Sequence, residues 1–93
     1  MPLFVLSCID RPGALAARMA ARDAHLAYLR DSGQLKLGGP YLDEGGQMTG
    51  SLLIIEAADL QAARAFSAAD PYVQADVFQS VDIRPFRATI GSL

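Results

Sequence analysis

The chain has a single histidine, His25, so proton-transfer chemistry depends on which group can meet it. Imidazole titrates nearer neutral pH than any other unperturbed side chain, and a carboxylate can hold its tautomer and stabilise its cation. Asp70 is one candidate partner. With Pro71 and Tyr72 it interrupts the alanine-rich stretch "AFSAADPYVQADVFQS" at residues 65–80. Spacing alone favours a plainer role, because Asp followed by Pro at the first helical position is a good N-cap. Tyr72, Val73 and Phe78 then read as apolar cover, and His25 as a boundary histidine bonded to backbone.

The helix that carries His25 offers further candidates. At about 100° per residue, Met19, Leu26 and Leu29 fall within about 40° of Leu15 and form the expected core stripe. Arg22 lies in the same sector, with Arg18 and His25 on its margin. The column Arg18, Arg22, His25 is therefore expected to face the sheet. A buried, unpaired charge is costly. Arg22 must either snorkel to a carboxylate at the strand edge or hold a ligand.

These residues need elements to position them. Residues 3–9, "LFVLSCI", are apolar at both parities, as in a strand buried on both faces. Asp10 to Gly13 read as a turn, residues 14–32 as a helix and Gly33 as its stop. Residues 35–41 form a weaker strand ending in a Gly-Gly-Pro turn, and 43–47 a loop. Residues 48–57, "MTGSLLIIEA", are the clearest central strand, and Asp59 caps a helix over 60–69. A short helical turn follows Pro71, then a last strand over 80–90, with Pro85 marking an edge or bent end.

The order β-α-β-β-α-β predicts an α+β, ferredoxin-like domain spanning 1–93, with a four-stranded antiparallel sheet and two helices on one face. The helix-free face, containing Val5, Leu53 and Ile83 or their neighbours of opposite parity, would then be apolar and uncovered. Hydrophobic residues make up 52% of the chain, which adds to the case for a covering partner. A second copy, packed sheet to sheet as a homodimer, is the simplest cover.

Composition excludes several functions. A net charge of −2, with eight basic residues scattered among ten acidic ones, does not suit a phosphate backbone, so no nucleic-acid partner is expected. No apolar run approaches the roughly 20 residues of a membrane span, and the N-terminal stretch reads as a strand rather than a signal peptide. One cysteine and one histidine cannot build a multi-ligand zinc site, and no metal or organic cofactor is expected. The expected location is the cytoplasm.

The blocks "RDAHLAYLRDSGQL", "GGP", "TGSLLIIEA" and "ADPYVQADVFQSVDIRPF" resemble, in order and spacing, the YciI-like (YCII-related) family of small bacterial domains. The resemblance covers nearly the whole chain, and the last block is the most specific. It implies a ferredoxin-like fold that dimerises sheet to sheet, as in the dimeric α+β barrel proteins. It also implies a site centred on His25 and Asp70, with Gly38, Gly39, Pro40 and Ser51 at recurring positions. The family is similar to muconolactone isomerases, and a few relatives eliminate chloride from chlorinated aromatic compounds.

With that resemblance, Asp70 is expected to cap the turn through one oxygen and receive the His25 N–H through the other. His25 becomes the general acid/base, while Arg22, Ser51, Gly39, Pro40 and Tyr72 become substrate-binding residues. The expected reaction is a cofactor-free elimination or isomerisation of a small, anionic, cyclic or carbonyl compound. The alternative is a non-catalytic ligand-binding or protein-interaction domain of the same fold. A haem-binding or monooxygenase role fits less well with one histidine on a helix margin.

Overall fold

The computed structural model describes residues 1–93. The elements run β1 (Leu3–Asp10), α1 (Leu15–Ser32), β2 (Leu35–Leu42), β3 (Met48–Glu56), α2 (Leu60–Ala68), α3 (Pro71–Gln74) and β4 (Phe78–Phe86). The four strands form one antiparallel sheet in the order β2-β3-β1-β4. This is the ferredoxin-like α+β arrangement expected from the element order.

Strand alternation divides the sheet into two faces. Phe4, Leu6 and Cys8 of β1 lie opposite Ile55, Leu53 and Ser51 of β3, and all six are buried. Against this face pack Leu29 of α1 and Ala63 and Phe66 of α2, completing the main core. Each fully buried Leu, Ile or Phe here contributes about 1.5–3 kcal/mol. The opposite face presents Val5, Leu52 and Ile54 in the centre and Leu37 on β2. Leu53 and Ile83, which sequence alternation left open to either face, pair with Leu6 and point toward the helices. The helix-free side of β4 carries the polar Ser80, Asp82 and Arg84, so the apolar surface is a stripe on the β1, β2 and β3 side.

Two expectations about the strands need correction. The "GGP" segment is not a turn, because β2 runs through it to Leu42. An edge strand can hold Pro40 because one side of its backbone needs no ladder hydrogen bond. The last strand covers Phe78–Phe86 rather than 80–90; Phe78 already pairs with Asp10.

Helix α1 also faces differently. Its buried residues are Arg18, His25 and Leu29, while Met19 is 52% and Leu26 41% exposed. The inward side is filled between them by Ala14, Ala17, Ala21 and Tyr28. Small residues let the helix approach closely, and Arg18 and His25, expected toward the sheet from the sector margin, lie deeper than the large apolar Met19 and Leu26.

Candidate active site

The four-residue helix α3 is too short to stand by itself and is fixed by its cap. Asp70 accepts a hydrogen bond from the Tyr72 backbone N–H at 2.9 Å through Oδ1. At the other end Asp76 adopts φ 58°, a conformation Asp tolerates better than most residues, and the Val77 N–H donates to the Tyr72 carbonyl. Tyr72 is thereby locked and almost fully buried.

Helix α1 brings His25 to this point. Its Nδ1 lies 2.7 Å from Asp70 Oδ1, with both side chains buried. A carboxylate can only accept, so Nδ1 carries a proton, and in the neutral ring the lone pair is then on Nε2. The expectation of one Asp70 oxygen per partner is incorrect: Oδ1 accepts from both the Tyr72 N–H and His25. The cap direction set by the backbone and the His25 approach from α1 converge on the same side of the carboxylate. The Tyr72 ring stacks on the imidazole at 3.7 Å and 10°.

Beneath this pair lies an ion pair that sequence reasoning missed. Arg18, only 2% exposed, donates from Nε and Nη2 to the two oxygens of Asp10, each at 2.8 Å. Nη2 also donates to Ser51 Oγ at 2.9 Å. Burial alone would lower the Arg18 pKa, but the Asp10 carboxylate outweighs it and the guanidinium is held above its ordinary value. The Arg18 Cζ sits 4.7 Å from the Tyr72 ring centroid. Asp10 reads as a turn residue in sequence and Arg18 as marginal; the one available signal was their charge complementarity across the turn.

A cavity of about 220 Å³ opens between α1 and the β2–β3 edge of the sheet. Since a cavity of about 150 Å³ accommodates benzene, this volume suits one substituted six-membered ring. Arg18, His25, Ser51 and Tyr72 line its interior, with Gly38, Gly39 and Pro40 forming the β2 wall. A Cβ at Gly38 would lie 2.8 Å from Leu53 Cδ2, so the missing side chain keeps this wall open. Arg22 is exposed rather than core-facing and has no carboxylate partner; it lines the cavity together with Leu26 and Arg30. No Asp or Glu lines the cavity, although the chain as a whole is acidic.

Cys8, behind the site, is inert at neutral pH. Burial, then the negative charge of Asp70, push its thiol up to about 12. No group of three or more His, Cys, Asp or Glu side chains comes together in a way that could hold a metal ion.

Comparison with known proteins gives concordant results. The YCII-related domain family matches residues 2–87. Protein YciI of Escherichia coli is 39% identical over 94 residues, covering 91% of this chain and 96% of that protein. An uncharacterised Haemophilus influenzae protein is 36% identical, covering 90% and 95%. Among solved structures, 5-chloro-2-hydroxyhydroquinone dehydrochlorinase from Burkholderia phenoliruptrix, in complex with 2,5-dihydroxybenzoquinone, superposes with a TM-score of 0.85. It shares 33% identity over 94% of this chain and 95% of its own.

Proposed function

The chain belongs to the YCII-related domain family, and from that premise we propose that it is a cytoplasmic small-molecule enzyme using His25 as general acid/base and Asp70 as its orienting partner. The observation that carries this reading is the 2.7 Å Nδ1–Oδ1 contact, buried beside a cavity without carboxylates. An Nδ1–H held by a carboxylate leaves Nε2 as the basic atom and stabilises the imidazolium formed when it takes a proton.

The proposed reaction is an elimination from, or isomerisation of, a monocyclic anionic compound. In the elimination, a proton moved from a ring hydroxyl to the halogen-bearing carbon first gives the keto tautomer with a tetrahedral C–H(halogen) centre. Nε2 then removes a proton from a conjugated hydroxyl or an adjacent ring carbon, and the electron pair forms a new ring double bond at that centre as the halide leaves. The net loss is one proton and one halide ion. In the isomerisation, the imidazolium returns the proton to another carbon. Both need no redox change in the enzyme. The similar dehydrochlorinase supports the first form, since its substrate is a chlorinated hydroxyhydroquinone.

The exposed guanidinium of Arg22 draws the anion to the cavity, Ser51 offers a hydroxyl inside, and Gly39 and Pro40 shape the wall. The functional unit is proposed to be a homodimer joined through the stripe of Val5, Leu37 and Leu52, which flanks the already buried Ile54. A non-catalytic binding role for the same cavity is the outcome if no member of the substrate panel is consumed.

Halide release and absorbance changes on a panel of chlorinated hydroquinones and lactones provide the test. Wild type is expected to turn over at least one compound, and His25→Gln to lose about 10²–10⁴-fold of that rate. Undiminished turnover by His25→Gln would exclude histidine as the base.

A further inference from the structure

Three polar atoms at the cavity keep hydrogen-bonding capacity that the protein does not use. Arg18 uses Nε and Nη2 on Asp10 and Ser51, leaving Nη1 unpaired. The Tyr72 hydroxyl, on a residue 2% exposed, meets no protein group but the Arg18 guanidinium beside it, which leaves its proton to donate elsewhere. His25 Nε2 is likewise free, since only Nδ1 is bonded. Yet every fully buried side-chain nitrogen and oxygen in the protein has a partner. Any of these atoms left without a partner must therefore retain open space, and the cavity lined by all three residues supplies it.

Two of the three are hydrogen-bond donors. Arg18 cannot lose its proton under ordinary conditions, and its orientation is set by the bidentate pair with Asp10. Tyr72 is fixed by the α3 cap and the imidazole stack. Burial holds its phenol above the ordinary pKa despite the opposing pull of the Arg18 cation, so it stays protonated and donates. The hydroxyl and the guanidinium lie close enough for each to act on the other's ionisation. The remaining free atom, Nε2, is a base on the ring stacked against Tyr72.

We infer that Arg18 Nη1 and the Tyr72 hydroxyl form an oxyanion subsite that holds a phenolate or enolate oxygen of a planar ring while His25 Nε2 acts on that ring. The inference deepens the proposed function and rests on the same cavity being the substrate site. It specifies the substrate as a ring bearing an ionised oxygen conjugated with the reacting carbon, recognised at depth by Arg18 rather than at the mouth by Arg22. Preorganised donors aimed at developing negative charge act without reorganisation in such a water-poor site. Ser51 serves here as a positioning residue, holding the Nη2 edge so that Nη1 faces the cavity.

The test reads binding and not turnover, so it fails or succeeds separately from the proton-transfer reading. Para-nitrophenolate is titrated at mildly alkaline pH against nitrobenzene, a ring of similar size without the ionised oxygen. Wild type is expected to prefer the phenolate. Tyr72→Phe keeps the ring stack and removes only the donor, and is expected to reduce that preference about tenfold. Arg18→Gln combined with Asp10→Asn removes both buried charges together and is expected to lower it further while nitrobenzene still binds. His25→Gln retaining the preference supports the assignment. Equal binding of the two probes by wild type, an unchanged preference in Tyr72→Phe, or its abolition by Arg22→Gln alone would each overturn it.

Discussion

Asp70 does two things through one oxygen, and a thermodynamic cycle can separate them. In Asp70→Ala, the Tyr72 N–H and the His25 Nδ1–H both lose their acceptor in a buried setting. Loss of an N-cap costs about 0.5–2 kcal/mol, and an unsatisfied buried donor about 1–3 kcal/mol. The expected destabilisation is about 2–4 kcal/mol. His25→Phe keeps a ring against Tyr72 but removes the hydrogen bond. If the His25–Asp70 contact is a working pair, the double variant should be less damaged than the sum of the singles by about 1–3 kcal/mol. Asp70→Asn, which still offers an acceptor for the cap, should lose less than about 1 kcal/mol. Because the chain lacks tryptophan, urea unfolding is followed by far-UV circular dichroism. Protein concentration is held fixed, since dimerisation would couple to stability. Singles that add to within about 0.5 kcal/mol would refute the pair and leave Asp70 as a helix cap.

Alkali should expose Cys8. Its folded thiol titrates at about 12 against an ordinary 9.0, so above pH 9 the unfolded chain sheds a proton that the native state keeps. The associated stability is fully present below pH 9 and is lost as pH rises toward 12, at about 1.4 kcal/mol per unit. By pH 11 wild type should lose about 3 kcal/mol more than Cys8→Ala; parallel losses would contradict the burial argument. Sedimentation at micromolar concentration should give a species of two chains, and Leu37→Glu should shift it to one. A wild-type monomer would remove the sheet-to-sheet reading.

The fold was legible because its signals are redundant. The short runs "LFVLSCI" and "MTGSLLIIEA", apolar at both parities, the Asp59 cap and the Gly33 stop each point to the same order. Gly33 indeed ends α1 at φ 68°. Residue type singled out the one histidine and the one aspartate before a proline, but spacing alone favoured a helix cap, and their pairing was reached through the family resemblance. In α1 the inward turn of Arg18 and His25 was legible, but not the outward turn of Arg22 and of the large apolar residues Met19 and Leu26. A periodicity argument ranks side chains by hydropathy and cannot see that alanines allow a close approach. Nor can it see that Asp10 across the turn neutralises a buried guanidinium. Functional sites are where local rules are broken in this way.

The segment Gly38-Gly39-Pro40 has a consequence for solubility. As an edge strand, β2 presents unpaired backbone groups that could template pairing with another chain. Pro40 supplies no N–H to such a pairing, and the register irregularity between Leu35 and Leu37 breaks the regular ladder spacing. Lys36 adds a charge at the irregularity and pairs with Glu56. Pro40 thus both lines the cavity and helps keep this edge from growing into an intermolecular sheet, so altering it to change ligand preference would alter aggregation behaviour as well.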